Sequence, residues 1–136
     1  MHTNETIELS EWDVRRLTDL VLYADRGSAA GWAAKVQRLL ARAVVVAREH
    51  ILPDRVTMNS RVRLQDCAGR EEVVVRLVYP GQPVRTLHAG RPEFNVSIVS
   101  PMGLSMIGRR TGDLISQRIR IMEILYQPEA AGEEES

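Results

Sequence analysis

Apolar residues in this chain keep a helical period up to His50 and a period of two beyond Pro53. That switch asks for two kinds of structure in one short polypeptide. A stripe spaced three and four apart covers one side of a helix, whereas alternation covers one face of a strand. Before the switch, Trp32, Val36, Leu39, Ala43, Val46 and His50 step by 4, 3, 4, 3 and 4. This is the seam of an antiparallel coiled-coil pair, with Lys35, Arg38, Arg42 and Arg48 mostly outside it. Pro53 stops the pattern. The expected helix spans 28–50 and is roughly 34 Å long at about 1.5 Å per residue.

A first helix is expected over 10–25, roughly 24 Å long by the same rise. Ser10 can cap it, Glu11 and Asp13 suit its positive end, and Val14, Leu17, Val21 and Ala24 form its stripe. Gly27-Ser28 breaks the pattern, and Ser28 can cap the second helix. A connection this short makes the two helices an antiparallel hairpin. Residues 1–9 are polar apart from Ile7 and Leu9, and read as a loose arm that pins itself to the body.

After Pro53, Val62 and Leu64 alternate with Arg61, Arg63 and Gln65, as in a half-buried strand. Asp66-Cys67-Ala68-Gly69 is a turn, and Glu71 to Tyr79 is a second strand. Its Val73-Val74-Val75 run suggests cover on both faces. Pro80 to Pro92 reads as a loop, and Phe94 to Val99 as a third strand with Phe94, Val96 and Ile98 on one face. Ser100-Pro101-Met102-Gly103 opens a turn, Leu104 to Ile107 is about one helical turn, and Gly108 can end it in left-handed geometry. Thr111-Gly112-Asp113 turns again. Leu114 to Gln127 is either one long bent strand or a hairpin cut very short. The switch of parity between Ile119 and Ile121 on one side and Met122, Ile124 and Tyr126 on the other favours a bent strand with a β-bulge.

Composition sets bounds on function. The 136 residues carry 18 basic and 18 acidic side chains, so the whole molecule is not an obvious nucleic-acid binder. Cys67 is the single cysteine, which excludes an internal disulfide and suits a reducing compartment. Cys67, His2, His50 and His88 show no metal-ligand spacing, and no metal or cofactor is expected. No apolar run approaches the roughly 18 residues of a membrane span, and no signal peptide is evident, so a cytoplasmic protein without membrane contact is expected.

The segment Ser100-Pro101-Met102-Gly103, its short apolar helix and Gly112-Asp113 resemble the C-terminal domain of the bacterial Gre transcript-cleavage factors. The resemblance is closer to the Rnk family, the regulators of nucleoside diphosphate kinase, which are short relatives of those factors. Val56-Thr57-Met58-Asn59-Ser60-Arg61-Val62, Leu77-Val78-Tyr79-Pro80 and Leu125-Tyr126-Gln127-Pro128-Glu129-Ala130-Ala131-Gly132 carry it in the same order. Together these pieces cover most of residues 54–132. One departure is that Ser116-Gln117-Arg118 stands where the family has a Pro-Gly-Gly type turn.

The resemblance implies an α+β chain. An N-terminal arm and antiparallel helical hairpin occupy 1–52. An FKBP-like antiparallel β-sheet domain with one short helix occupies 53–128, and a disordered acidic tail 129–136. It also implies docking on RNA polymerase. In Gre factors the globular domain sits at the rim of the secondary channel and the hairpin reaches towards the catalytic magnesium. Two acidic residues at the tip hold a second Mg²⁺ and a water that cleaves backtracked RNA, since magnesium takes hard oxygen ligands and a second ion activates water. The tip here offers one carboxylate, Asp25, beside Arg26. The expectation is therefore a non-enzymatic transcription regulator that binds polymerase without stimulating cleavage. An effect on nucleoside diphosphate kinase would then run through transcription.

The candidate polymerase contacts are Ser100, Pro101, Met102, Gly103 and Asp25, set against the plainer reading that Pro101 and Gly103 only shape the turn. The arginines of the hairpin are a solvated face, or an approach to nucleic acid or an acidic polymerase surface. Two rival readings stand beside this one. The first is an enzyme, either a cleavage factor with an unusual tip or a prolyl isomerase. The second is a binding module that uses the hairpin face for another partner.

Overall fold

The computed structural model describes residues 6–23, 30–81, 87–88, 91–116 and 118–132. Strand β1 (Glu8–Ser10) leads into helix α1 (Glu11–Leu22), and helix α2 (Ala30–Arg42) leads into strand β2 (Val44–Val46) and a 3-10 turn at Arg48–His50. Strands β3 (Arg61–Asp66) and β4 (Glu72–Val78) follow, then a small pair, β5 (Leu87–His88) and β6 (Arg91–Pro92). Strand β7 (Phe94–Ser97), helix α3 (Pro101–Met106), strand β8 (Ile119–Tyr126) and helix α4 (Pro128–Ala131) complete the order. No helix among the described residues is long and apolar enough to cross a membrane.

The α+β architecture matches the sequence, with changes at its joints. The second helix ends at Arg42, not near residue 50. Val44-Val45-Val46 is three consecutive β-branched residues, which lose side-chain freedom in a helix and suit a strand. They pair in parallel with Glu8–Ser10. The arm does pin itself down, since Ile7 and Leu9 are both buried. The tail also orders further than expected. Pro128–Ala131 is helical, Gln127 caps it by accepting from Ala130 N–H, and Gly132 closes it in left-handed geometry. Thr57 Oγ1 donates to Glu129 Oε1 at 2.7 Å, which holds this turn on the body. Residues 1–5 and 133–136 lie outside the described residues.

The main sheet has the order β7-β4-β3-β8. Its centre is antiparallel, as expected, while β7 adds to β4 in parallel. Val62 and Leu64 point into the core, facing Ile124 and Ile121 on β8. The other face carries charge, with Arg63 donating to Glu72 and Glu123. Those two glutamates hold the Arg63 guanidinium more firmly protonated than usual. The Val73-Val74-Val75 run is not covered throughout, since Val73 is exposed, Val74 half-buried and only Val75 buried. Phe94 is likewise exposed, while Val96 and Ile98 turn inward. The stretch 80–92 contains the β5–β6 pair, where a loop was expected; 82–86 and 89–90 lie outside the described residues.

Leu114 to Gln127 is the short hairpin, not the long bent strand. Leu114 bridges Arg120, and Ile115 N–H donates to Ile119 O at 2.8 Å. The parity switch is nonetheless absorbed by bulging, because the β3–β8 register shifts twice, leaving Met122 and Leu125 without opposing partners. The turn before β4 forms as read. Asp66 accepts from Ala68 N–H at 2.9 Å and from Arg118. The Ala68 N–H bond, with Arg118 adding to it, holds the Asp66 carboxyl below the usual carboxylate range.

One apolar core serves both parts of the chain. Leu9, Leu17, Val36 and Leu39 from the arm and hairpin join Met58, Val62, Leu77 and Ile121 from the sheet side. Polar clamps reinforce the joint. Ser10 caps α1 by accepting from Asp13 N–H, and the buried Asp13 carboxylate accepts from Met58 N–H at 3.1 Å. Buried Arg55 donates from Nη1 to Thr6 O and Gly108 O, both at 2.8 Å. The Thr57–Ser60 turn leads into β3 and is fixed by its own hydrogen bonds. Asn59 takes φ +70°, its N–H donates to Leu77 O, and Ser60 Oγ accepts from Thr57 N–H. The hairpin base is thus a wall of the globular body.

Candidate partner-binding site

Ser100 to Gly103 form one rigid corner where β7 ends and α3 begins. Ser100 has extended backbone and caps α3, its Oγ accepting from Gly103 N–H at 3.1 Å. The same hydroxyl donates to Ser97 O at 2.6 Å, and Ser100 N–H donates to Ser97 O at 3.0 Å. Pro101 takes the first helical position, where its fixed φ fits and no N–H is missed. The helix therefore starts three residues before the apolar run that first suggested it. It ends at Met106, since Ile107 already turns to φ −59° and ψ 133°, and Gly108 follows in left-handed geometry at φ +78°.

Each of the four residues has a distinct place in this corner. Gly103 is buried, and a Cβ there would meet Ser97 O at 2.1 Å and Ile98 Cα at 2.9 Å. Only glycine lets α3 lie this close to the end of β7. Met102 is half-buried and packs on the core, while Met106 is fully buried. Ser100 and Gly103 thus build the turn, and Pro101 is the member exposed to solvent. Asp25 lies outside the described residues, as does the rest of the inter-helix turn over 24–29. The structure therefore brings the four turn residues together and leaves Asp25 apart from this description.

A groove of about 480 Å³ runs between α2 and α3, and Pro101 and Ser105 line its α3 side. Lys35, Arg38 and Arg42 line its α2 side, and Arg109 lines it from beyond the end of α3. Leu39 and Leu104 supply apolar surface. The three α2 cations were legible as one helix face from their spacing of three and four. That α3 would lie along that face was not, because nothing local in the sequence announces the contact. A second groove, of about 450 Å³, lies between α1 and Tyr79 and mixes Asp19 with Arg15 and Arg16. Arg16 there stacks on the Tyr79 ring, 4.9 Å from its centroid.

Comparison with known proteins gives this arrangement a family. Residues 51–126 match the family described as "Transcription elongation factor, GreA/GreB, C-term". The "Regulator of nucleoside diphosphate kinase" of Escherichia coli (strain K12) is 30% identical over 136 residues, covering 94% of this chain and 95% of that protein. The "Transcription elongation factor GreA" of Pelobacter propionicus is 30% identical over 109 residues, or 75% of this chain and 65% of its own length. Among solved structures, the "Prokaryotic transcription elongation factor GreA/GreB from Nitrosomonas europaea" superposes with a TM-score of 0.70 at 34% identity, covering 90% of this chain and 100% of that one. Since the matched residues include the corner at Ser100–Gly103 and the superposition takes in most of the chain, this protein belongs to the GreA/GreB transcription elongation factor family.

Proposed function

We propose that this protein binds RNA polymerase through the corner at Ser100–Gly103, at the rim of the secondary channel, and regulates transcription without stimulating RNA cleavage. The observation that carries the reading is the corner itself. Its backbone groups are tied to Ser97 and Ser100, and Pro101 stands exposed on that fixed frame. A partner that docks on a pre-set turn loses little ordering entropy on binding. Family membership supports the choice of partner, since the matched family and two of the named relatives are described as transcription elongation factors.

The non-enzymatic part rests on the hairpin. A second magnesium needs hard oxygen ligands at the tip. The inter-helix turn has one carboxylate, Asp25, next to Arg26. Asp13 is buried at the opposite end of α1, holding Met58 N–H. Among the described residues, the 12 of α1 and 13 of α2 span about 18–20 Å each. An effect on nucleoside diphosphate kinase, the subject of the relative's name, is then exerted through transcription.

The test uses polymerase complexes halted in a backtracked register. Transcript shortening should stay at the factor-free rate with this protein in excess, and a cleavage-competent Gre factor added alongside should act more slowly. Asp25-dependent acceleration of cleavage would overturn the non-enzymatic reading. Undiminished Gre activity at saturating protein would overturn the shared docking site.

A further inference from the structure

Helix α1 buries one face and presents a second one to solvent. Asp13 and Leu17 are buried on the body side, with Val14 and Val21 packed on the core. Trp12, Arg16, Asp19 and Tyr23 step by 4, 3 and 4 along the helix and its C-cap, so they share a separate face. Trp12 is 38% exposed and Tyr23 85%. With Arg15 and Tyr79 these residues wall the groove of about 450 Å³, and no described residue of α2 or of the Ser100–Gly103 corner lines it. Steps of four and three are the seam of a helix pair. Within the chain this seam has no helix against it.

The order of side chains along the seam identifies its occupant. Aromatic rings stand at the two ends, Trp12 and Tyr23, and opposite charges in the middle, Arg16 and Asp19. A two-fold axis across the centre of α1, beside Leu17 and Thr18, turns a second copy end over end. Trp12 then lies opposite Tyr23 of the second copy, and Arg16 opposite its Asp19, each contact occurring twice. Parallel pairing would instead oppose like charges. Arg15 flanks the central carboxylate, and among the described residues neither Arg15 nor Asp19 has an ion pair in its own chain. Nucleic acid is a poorer occupant. Arg16 and Arg48 already lie over the Tyr79 and Trp12 rings, 4.9 and 5.6 Å from the centroids, covering faces on which a base would stack, and Asp19 repels phosphate. We propose that this groove receives α1 of a second copy of the chain, antiparallel, in a symmetric homodimer. This goes beyond the polymerase reading and is measured on the free protein, so each can fail alone.

The experiment is sedimentation velocity of the full chain from about 10 to about 500 µM. One 12-residue helix per copy is a small interface beside the roughly 1,200–2,000 Å² of stable complexes, so the dimer is weak, with a dissociation constant below about 200 µM. Asp19→Arg and the double variant Arg15→Asp/Arg16→Asp should each weaken association at least about tenfold. Their equimolar mixture should restore it to within about threefold of wild type, because the exchange re-creates both central contacts. Tyr23→Ala, at an exposed position, should weaken it with the melting temperature kept, and Lys35→Asp on α2 should leave it unchanged. A wild-type protein that stays monomeric at about 500 µM would overturn the proposal, as would a dimer that Asp19→Arg and Tyr23→Ala leave intact. A mixture that fails to dimerise, with both charge variants folded by circular dichroism, would overturn the antiparallel register.

Discussion

Replacing Gly103 by alanine places a methyl group against backbone that has nowhere to go. In an open helix interior the change gains roughly 0.8–1 kcal/mol, because glycine is the poorer helix former. Here the new Cβ would stand 2.1 Å from Ser97 O, 2.8 Å from Ser97 C and 2.9 Å from Ile98 Cα. Carbon contacts are comfortable only from about 3.5 Å, so α3 must shift off β7 by about 1 Å. Overpacking of this kind costs about 1–3 kcal/mol, and a clash with backbone belongs at the upper end. The net expectation is a loss of about 2 kcal/mol. For a domain of this size that lowers the melting temperature by about 8 °C. Circular dichroism melting and urea denaturation measure it, with the urea slope unchanged if only stability is affected. A melting temperature equal to or above wild type would refute the close packing of α3 on β7 and the role given to Gly103. Pro101→Ala is the companion, since an exposed first-turn proline should cost less than about 1 kcal/mol.

The clamp between hairpin and sheet gives a second expectation. Asp13→Ala strands the Met58 N–H in the core, where an unsatisfied buried donor costs about 1–3 kcal/mol; urea denaturation should show the loss, and a variant as stable as wild type would contradict the clamp. Asp66 gives a pH signature. Its folded-state pKa lies below the usual carboxylate value, so its contribution is present in full above the unfolded-state pKa of about 3.9 and is lost as pH falls through the lower folded value. Stability curves of wild type and Asp66→Asn should run a constant distance apart from about pH 5 to 8 and converge below about pH 4; curves that stay parallel into acid would contradict it.

The fold was legible wherever local rules agreed with tertiary demand. Ser10 announced a cap and serves as read, and Gly108 takes the left-handed geometry expected of it, one residue past the C-cap Ile107. Val62 and Leu64 alternated in sequence and are buried in the sheet. The misreadings share one cause. Val46 continued a helical stripe, but pairing of Val44–Val46 with the strand Glu8–Ser10 outweighed it. That partner is long-range and leaves no mark near residue 44. Arg55 carried no local signal and Asp13 signalled only the start of α1, yet both are buried as clamps, because the groups they serve lie far along the chain. The corner at Ser100–Gly103 was the most legible part of the site, since proline and glycine fix its backbone locally. The groove beside it needed the packing of α3 on α2.

The most direct measurement of the account is binding of core RNA polymerase by the intact protein and by Pro101→Ala, followed in parallel with their melting curves. The account predicts that wild type binds, and that Pro101→Ala loses affinity while its melting temperature stays close to wild type. Failure of the wild-type protein to bind at micromolar concentration, or equal binding by the variant, would contradict docking through the Ser100–Gly103 corner.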